Sequence, residues 1–289
     1  MPKTFQHLRN KILRGAQGYA CSHLDDFVIW SNTFSDHIIH LRDVLQRLRN
    51  AHLTASKAKS DFILPSMKIL GNVIENCQIK PDPDKISAIE KIEKLTTKKE
   101  VKAFLGLTGY YAEYIPAYQD KAFPLTELLR RNKPDKVQWG EKEQMALEAL
   151  KRALTAKPVL YPPDPAKGYI LQTDASRVAV SAILAQSDPL GRERVIAYAS
   201  KKLLPREQLY SVIELETYAV IFGLTKFDHY LFGRHIDLQS DHKPLSYMAT
   251  WMNHSPRLSR WNLILSKYDI TPTYKKASLN ANADGLSRL

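Results

Sequence analysis

Apolar positions in the first fifty residues follow the spacing of two helices on either side of a hairpin. A helix is predicted over Thr4–Leu13. β-rich runs at Tyr19–His23 and Phe27–Ser31 flank Asp25 and Asp26, which predicts a tight hairpin with two acids at its tip. An isolated Asp–Asp pair is more often ordinary turn chemistry, and only the flanking strands favour a functional interpretation. A second amphipathic helix is expected over Asp36–Asn50, with an inner face of Ile38, Leu41, Val44, Leu45 and Leu48.

The next hundred residues alternate turn signals with helical spacing. Ile69–Asn72 predicts another hairpin, and Asp82 with Pro83 predicts the start of a helix. Thr97 and Glu100 match a capping box, which predicts a further helix start. A short helix around Leu125–Leu129 and a longer one over Glu141–Leu154, burying Met145 or Ala146, complete the pattern. Residues 82–154 are therefore predicted to form a small helical bundle, and four prolines between 158 and 165 mark its boundary.

Beyond this boundary the pattern of apolar positions changes to alternating strands and helices, as in an α/β domain. Strands are predicted at Gly168–Thr173, Val180–Gln186, Arg194–Ser200 and His235–Ser240. One long helix is expected from about Pro205 to Leu231, between the third and fourth of these strands. Two shorter helices, a strand near Tyr268–Tyr274 and a last helical turn follow. Helices alternating with strands in this way indicate a sheet flanked by helices.

Composition limits the function classes. The 289 residues suit two or three domains, and a hydrophobic fraction of 44% is enough to build real cores. The formal net charge of +12 favours nucleic acid as a partner. No apolar run reaches the roughly 18–20 residues of a membrane span, and the start lacks the apolar core of a signal peptide, so no membrane partner is expected. Cys21 and Cys77 form no CxxC pair, and we interpret them as small core residues of a protein from a reducing, intracellular compartment, cytoplasmic or nuclear.

Four acids occupy positions that local structure alone does not explain. Asp174 and Asp241 each end a predicted strand, Asp284 falls in a short terminal helix, and Glu216 shares a helical face with Ile213, Val220, Gly223 and Phe227. Glu214 points elsewhere and ranks second to Glu216. Each acid alone has an ordinary alternative, such as a turn, a helix cap or a glutamate reaching solvent at a helix edge. Together they suggest a cage for two divalent cations, because Mg²⁺ and Mn²⁺ need several oxygen ligands. Zinc is disfavoured because the histidines lack ligand spacing.

The motifs that follow the boundary resemble those of one known family. The segments ILQTDASRVAVSAILAQSD, YSVIELETYAVIFGLTKFDHYLFGR, LQSDHKPL and NANADGLSRL look like the RNase H domain of gypsy-type LTR retrotransposon Pol proteins. The resemblance places the family's metal ligands on Asp174, Glu216, Asp241 and Asp284. It implies hydrolysis of the RNA strand in RNA·DNA hybrids with two Mg²⁺ or Mn²⁺ ions. Among the surface cations, Lys201, Lys202, Arg206, Arg257, Arg260, Lys275 and Lys276 are candidate phosphate contacts, although most such residues only solvate a surface.

The earlier part of the chain resembles the reverse transcriptase of the same proteins. PKTFQHLRNKILRG resembles the segment that precedes the family's polymerase box, and His23–Asp26 stands at that box, with Asp25 and Asp26 as polymerase metal ligands. The run from HLRDVLQRLRN to PDPDKISAI resembles the end of the palm, and FLGLTGYYAEYIPAY resembles the thumb. The sequence departs from the pattern at His23, Ala112 and Glu113, and Ala277 replaces a usual glycine. The family segment that supplies a further metal-binding Asp and the fingers has no counterpart in these residues. Polymerase activity is therefore expected to be lost.

These observations lead to one expectation of the whole chain. Its fold class is α/β (α+β), with a partial palm at 1–80, a helical thumb at 81–157 and an RNase H-like domain with a mixed sheet at 158–289. The expected function is that of a reverse transcriptase/RNase H fragment acting on RNA·DNA hybrids, with self-association or another Pol chain as further partners. Two alternatives stay open. One is a basic nucleic-acid-binding relic without catalysis, and the other is a polymerase subunit completed in trans.

Overall fold

The computed structural model describes residues 2–23, 26–240 and 256–275. The chain divides into two compact units, Met1–Leu64 and Pro65–Leu289. We call them the N-terminal and C-terminal units and describe each by itself. The domain limits expected at residues 80/81 and 157/158 remain predictions.

The N-terminal unit packs two helices around a two-stranded hairpin. Its elements are α1 (Pro2–Ile12), β1 (Ala20–His23), β2 (Asp26–Ile29) and α2 (Phe34–Asn50), followed by a short 3-10 turn at Lys57–Lys59. The strands pair antiparallel, with His23 opposite Asp26, as the sequence predicts. Thr33 caps α2 by accepting a hydrogen bond from the Asp36 N–H. The core consists of Leu13, Ala16, Ala20, Val44 and Leu48. The prediction for Leu45 is wrong, because its side chain is 44% exposed on the far side of α2.

The C-terminal unit opens with a three-stranded antiparallel meander. Its strands are β3 (Ser66–Ile69), β4 (Asn72–Glu75) and β5 (Gln78–Pro81). The first turn, Leu70–Gly71, is the predicted hairpin, and both residues have positive φ. The second turn has the same two-residue form at Asn76–Cys77, which sequence reasoning missed. Cys77 is exposed in this turn and Cys21 is exposed on β1, so the interpretation of both cysteines as core residues is wrong.

A helical bundle follows the meander. It contains α3 (Pro83–Glu90), α4 (Lys98–Tyr110), α5 (Tyr118–Leu128) and α6 (Glu141–Thr155), with a 3-10 turn at Ala112–Tyr114. Asp82 caps α3 and the Thr97–Glu100 capping box starts α4, as predicted. Helix α5 begins earlier than its apolar pattern suggests. On α6, Ala146 is buried at 5% exposure and Met145 is 65% exposed, so Ala146 is the core residue of the two.

The remaining strands form a five-stranded mixed sheet. The strands are β6 (Tyr169–Ala175), β7 (Ala179–Ser187), β8 (Glu193–Lys202), β9 (His235–Ser240) and β10 (Asp269–Tyr274), in the order β10-β9-β6-β7-β8. Strands β6, β9 and β10 run parallel, and β7 and β8 continue antiparallel from β6. All five predicted strands are present, and the expected mixed sheet is confirmed.

Three described helices accompany this sheet, α7 (Val212–Lys226), α8 (Asp228–Leu231) and α9 (Pro256–Leu265). The single helix expected over Pro205–Leu231 is wrong at its start and is interrupted near its end. The Ser211–Glu214 capping box starts α7 only at Val212, and Phe227 leaves the helical region before α8. The predicted shorter helix before Pro256 and the last helical turn fall outside the described residues. Within the described residues, no helix has the length and apolar character needed to cross a bilayer.

Candidate functional site

Asp174 lies at the end of the central strand β6. Five buried residues, Tyr169–Thr173, precede it, and its own side chain is exposed. It pairs with Ser181 on β7, and the strand continues only to Ala175. The apolar run therefore forms the rigid interior of the sheet and presents a carboxylate at its edge, as the sequence predicts.

Glu216 lies in the second turn of α7, and its side chain is only 7% exposed. Eight of the 15 residues of α7 are buried, so the helix is enclosed on most of its faces. Burial of a carboxylate is costly unless a cation, an ion pair or a hydrogen bond compensates it. The burial predicted for Glu216 is confirmed, and its surroundings favour a role beyond solvation.

The packing of α7 on the sheet brings Asp174 and Glu216 to the same end of the domain. Helix α7 runs against the direction of β6. Its first half packs Leu215 and Ala219 with Val180 and Ala175, whereas Gly223 lies over Leu171, nearer the start of the strand. Asp174 immediately precedes Ala175, and Glu216 immediately follows Leu215. Two of the four predicted acids therefore sit at one level of the sheet.

Glu214 makes contacts within the protein that set it apart from Glu216. Its carboxylate accepts hydrogen bonds from the Ser211 N–H at 3.0 Å and from the Ser211 hydroxyl at 3.1 Å. Its other oxygen lies 2.7 Å from Arg257 Nη1. Burial raises the pKa of Glu214, but the Ser211 hydrogen bonds and the Arg257 charge outweigh it, so the pKa is lowered overall. Glu214 starts the helix and ties it to α9, which supports ranking it below Glu216.

The other predicted acids are not described. Asp25, Asp241 and Asp284 lie outside the described residues, although β9 ends at Ser240, directly before Asp241 in the sequence. Asp26 is described and is exposed on β2. Residues 2–23, 26–240 and 256–275 contain no group of three or more His, Cys, Asp or Glu side chains arranged to hold a metal ion. The four-carboxylate cage stays a prediction.

A buried polar row lies on the same sheet face as Asp174, and sequence reasoning missed it. Gln172, two residues before Asp174, donates hydrogen bonds to Gln239 Oε1 at 3.0 Å and to Glu193 Oε2 at 2.9 Å. Lys275 Nζ completes the row by lying 2.6 Å from Glu193 Oε1. Both glutamines are buried, at 4% and 8% exposure. The row fixes the central strands next to Asp174. The charge of Lys275 is paired with that of Glu193 within the protein.

The turn after Asp174 is held by Ser176, which sequence reasoning also missed. The Ser176 hydroxyl accepts hydrogen bonds from the backbone N–H groups of Val178 at 3.2 Å and Ala179 at 2.9 Å. It donates to Asp120 Oδ1 on α5 at 2.5 Å. A helix of the bundle therefore contacts the turn that follows the candidate ligand.

Most of the predicted phosphate contacts are already paired within the protein. Lys201 Nζ lies 3.3 Å from Glu207 Oε1 and also donates to the Tyr218 hydroxyl. Lys202 Nζ lies 2.8 Å from Glu127 Oε1 and 4.7 Å from the centroid of the Phe123 ring. Arg257 pairs with Glu214, and its guanidinium carbon lies 4.0 Å from the centroid of the Tyr210 ring.

The remaining candidates of this set are Arg206, Arg260 and Lys276. Arg206 and Arg260 are exposed, and Lys276 lies outside the described residues. The whole set remains a prediction.

Two family models match the chain. Residues 1–108 match the reverse transcriptase (RNA-dependent DNA polymerase) model, and residues 164–268 match the RNase H-like domain found in reverse transcriptase. The second match contains Asp174 and Glu216 and begins near the predicted domain boundary. Domains of both kinds generally depend on divalent metal ions.

Curated relatives align with the full chain. The retrovirus-related Pol polyproteins from transposons 297 and opus of Drosophila melanogaster are 37% and 34% identical to it. The transposon Tf2-3 polyprotein of Schizosaccharomyces pombe is 32% identical. These alignments cover 100% of this chain but only 27%, 30% and 22% of the relatives, so the chain spans less than a third of their length.

Solved structures show the same fold. The foamy viral protease-reverse transcriptase dRH in complex with double-stranded DNA has a TM-score of 0.81 at 21% identity, covering 96% of this chain and 49% of that chain. The foamy viral protease-reverse transcriptase in complex with RNA/DNA hybrid has a TM-score of 0.79 at 22% identity, covering 96% and 38%. The mixed α/β fold expected from the sequence is therefore confirmed. The chain therefore matches reverse transcriptase and RNase H-like domain models in two separate parts and is similar along its whole length to retrotransposon Pol polyproteins.

Proposed function

We propose that this chain hydrolyses the RNA strand of RNA·DNA hybrids and that it derives from a gypsy-type LTR retrotransposon. The observation that carries the proposal is the placement of Asp174 and Glu216 at one end of a domain that matches the RNase H-like model. The +12 charge of the chain supports a nucleic-acid substrate. The foamy viral structures that share the fold were solved with double-stranded DNA and with RNA/DNA hybrid, which supports the same class of substrate.

The donor set fits two divalent metal ions. Asp174, Glu216, Asp241 and Asp284 would hold Mg²⁺ or Mn²⁺, because hard cations prefer carboxylate oxygens. Such ions, when bound, supply activation of water and stabilisation of the leaving oxygen of a phosphodiester. Asp174 presents its carboxylate from a strand end, and Glu216 presents one from a buried helix, where the low dielectric strengthens its attraction for a cation. The buried row of Gln172, Gln239 and Glu193 keeps the central strands fixed beside Asp174.

The strand register supports Asp241 as the third ligand. In the parallel pair of β6 and β9, Gln172 lies opposite Gln239. Counting two residues further along the sequence from each of these glutamines gives Asp174 and Asp241. Adjacent strands are about 4.8 Å apart, so this register predicts neighbouring carboxylates at the sheet edge.

Mutation of the two glutamates on α7 tests the assignment most sharply. We expect Glu216→Gln to abolish Mg²⁺-dependent cleavage of a labelled RNA·DNA hybrid while hybrid binding stays close to wild type, because a ligand is lost without a change of shape. Glu214→Gln is the matched control two residues away. It weakens a helix cap and an ion pair, and it should leave cleavage intact. Equal activity of Glu216→Gln and wild type would refute the assignment, and Asp174→Asn should reproduce the loss.

Hybrid binding should weaken steeply with salt, because phosphate contacts release counterions. Titrations of a labelled hybrid at several salt concentrations measure this dependence. A flat response would count against a surface that tracks phosphates. Binding without any metal-dependent cleavage would instead support the alternative of a non-catalytic relic.

A further inference from the structure

A helix outside the RNase H-like match reaches into the turn that follows Asp174. Helix α5 contacts the five-stranded sheet and its β6–β7 turn through polar links spread along its length, three of which matter here. The Gln119 N–H donates to Ser200 Oγ at 3.0 Å, Asp120 accepts from Ser176 at 2.5 Å, and Glu127 pairs with Lys202 at 2.8 Å. Only the second of these links involves the β6–β7 turn.

The single proton of the Ser176 hydroxyl decides how this turn is organised. A hydroxyl group donates one hydrogen bond and accepts two. In this turn it accepts from the backbone N–H groups of Val178 and Ala179, and Asp120 Oδ1 is the short acceptor for its proton. The Ala179 carbonyl, at 3.1 Å, is a longer competing acceptor for the same proton. Asp120 therefore selects the orientation of the hydroxyl that lets it accept from both N–H groups.

The setting of Asp120 strengthens this bond. Burial raises the pKa of Asp120 overall and outweighs the hydrogen bond from Ser176 and the charge of Lys121, which act in the opposite direction. A hydrogen bond to a carboxylate is about twice as strong as one between neutral groups, and partial removal from water increases its effect. The contact is a fixed link between α5 and the turn.

The β6–β7 turn holds the strand end that carries Asp174. Ser176 is two residues after Asp174, and the Ser176 N–H donates to the Ala179 carbonyl at 2.8 Å, which closes the turn. Beyond it, β7 returns to pair Ser181 with Asp174. A change in the turn therefore reaches the backbone on both sides of this carboxylate.

We propose that Asp120 is a positioning residue for hybrid cleavage, which acts through Ser176 to hold the strand end that carries Asp174. This inference rests on the proposed nuclease function. It means that the nuclease site depends on a side chain from the preceding helical bundle, 44 residues before the RNase H-like match begins at residue 164.

The test compares three variants of the full chain by steady-state cleavage kinetics. Asp120→Ala removes the acceptor and should lower kcat about tenfold with KM unchanged, because a small misplacement of a reacting group lowers rate rather than binding. Asp120→Asn keeps an acceptor oxygen for the Ser176 hydroxyl and should restore kcat to within about threefold of wild type. Glu127→Gln is the matched control, since it weakens the link from α5 to β8 two helical turns away and should leave kcat unchanged.

A second measurement separates this inference from the proposed function. Hydrogen exchange of the Val178 and Ala179 amides should become faster in Asp120→Ala and stay unchanged in Glu127→Gln. Wild-type kcat in Asp120→Ala, or equal losses in Asp120→Ala and Glu127→Gln, would overturn the inference. Should the wild-type chain not cleave hybrids at all, the proposed function fails, and unchanged amide exchange in Asp120→Ala would refute the positioning link on its own.

Discussion

The close approach of α7 to the sheet at Gly223 predicts the effect of a single methyl group. A Cβ atom at this position would lie 3.1 Å from Ala182 Cβ and 3.2 Å from Leu171 Cδ1. Ala182 is 1% exposed and Leu171 is 0% exposed, and both belong to central strands. Neither can move aside easily, because each is packed within the sheet and its core. The helix itself must shift by a few tenths of an ångström to accept Gly223→Ala.

Two opposing effects decide the sign of the change in stability. Alanine is favoured over glycine inside a helix by about 1 kcal/mol. Overpacking of a well-packed core costs about 1–3 kcal/mol. We therefore expect Gly223→Ala to lower the free energy of unfolding by about 1 kcal/mol, the middle of the range that these two terms leave.

Gly106 provides the matched control. It lies inside α4, and an added Cβ would meet no atom within 4 Å. Gly106→Ala should therefore raise the free energy of unfolding by about 0.8–1 kcal/mol, from helix propensity alone. Urea denaturation of both variants and wild type measures the two changes, with the difference between the variants reporting the packing cost. Equal stabilisation by both substitutions would show that α7 has room at Gly223 and would refute the reasoning.

The same substitution should affect the candidate site. Glu216 lies two helical turns before Gly223, about 10 Å along the axis of α7. A shift of the helix displaces its carboxylate relative to Asp174, so hybrid cleavage should fall several-fold in Gly223→Ala and stay unchanged in Gly106→Ala. Cleavage by Gly223→Ala at the wild-type rate, with the expected loss of stability, would mean that the site tolerates the shift.

Three further predictions concern other parts of the chain. Thr97→Ala removes the side chain that accepts from the Glu100 N–H and should lower the free energy of unfolding by about 1 kcal/mol in urea denaturation. Burial raises the pKa of Asp188, but hydrogen bonds from Arg192, Leu190 and Arg194 outweigh it and lower the pKa to about 2 from 3.8. The folded state thus binds fewer protons at this carboxyl, so its contribution to stability is complete above pH 3.8 and is lost as the pH falls towards 2. Unfolding measured across this range should show a shallower acid loss in Asp188→Asn, and an unchanged pH profile would contradict this. Purified as printed, the chain should not extend a primer with Mg²⁺ or Mn²⁺, and incorporation that disappears in Asp25→Asn would contradict this and support a site completed in trans.

Local signals predicted the elements that carry the candidate site. The run before Asp174 is apolar and ends in polar residues, and it forms a strand with five buried positions. The capping boxes at Thr97 and Ser211 both start helices, and the second places the start of α7 at Val212 instead of Pro205. The apolar residues between 205 and 212 suggested helical continuity, yet Leu209 is 85% exposed in a turn. A capping signal located the boundary better than periodicity did.

The partners of the surface cations could not be predicted in the same way. Lys202 pairs with Glu127 across 75 residues of sequence, and Lys275 pairs with Glu193 across 82. The charge of a lysine can be read from the sequence. The carboxylate that folding brings to it from another element cannot. Asp120 and Ser176 were missed for the same reason, since they are 56 residues apart.

The distinction between the two glutamates of α7 shows how periodicity and packing must be combined. Because α7 is buried on most of its faces, an acid on an apolar face of this helix does not by itself identify a ligand. The oxygens of Glu214 already accept from the Ser211 N–H, the Ser211 hydroxyl and the Arg257 guanidinium, and metal ligation would compete with these bonds. Glu216 lies on the other face, next to Leu215, which packs at the same end of the sheet as Ala175. Position along β6, rather than burial, is therefore the stronger argument for pairing Glu216 with Asp174.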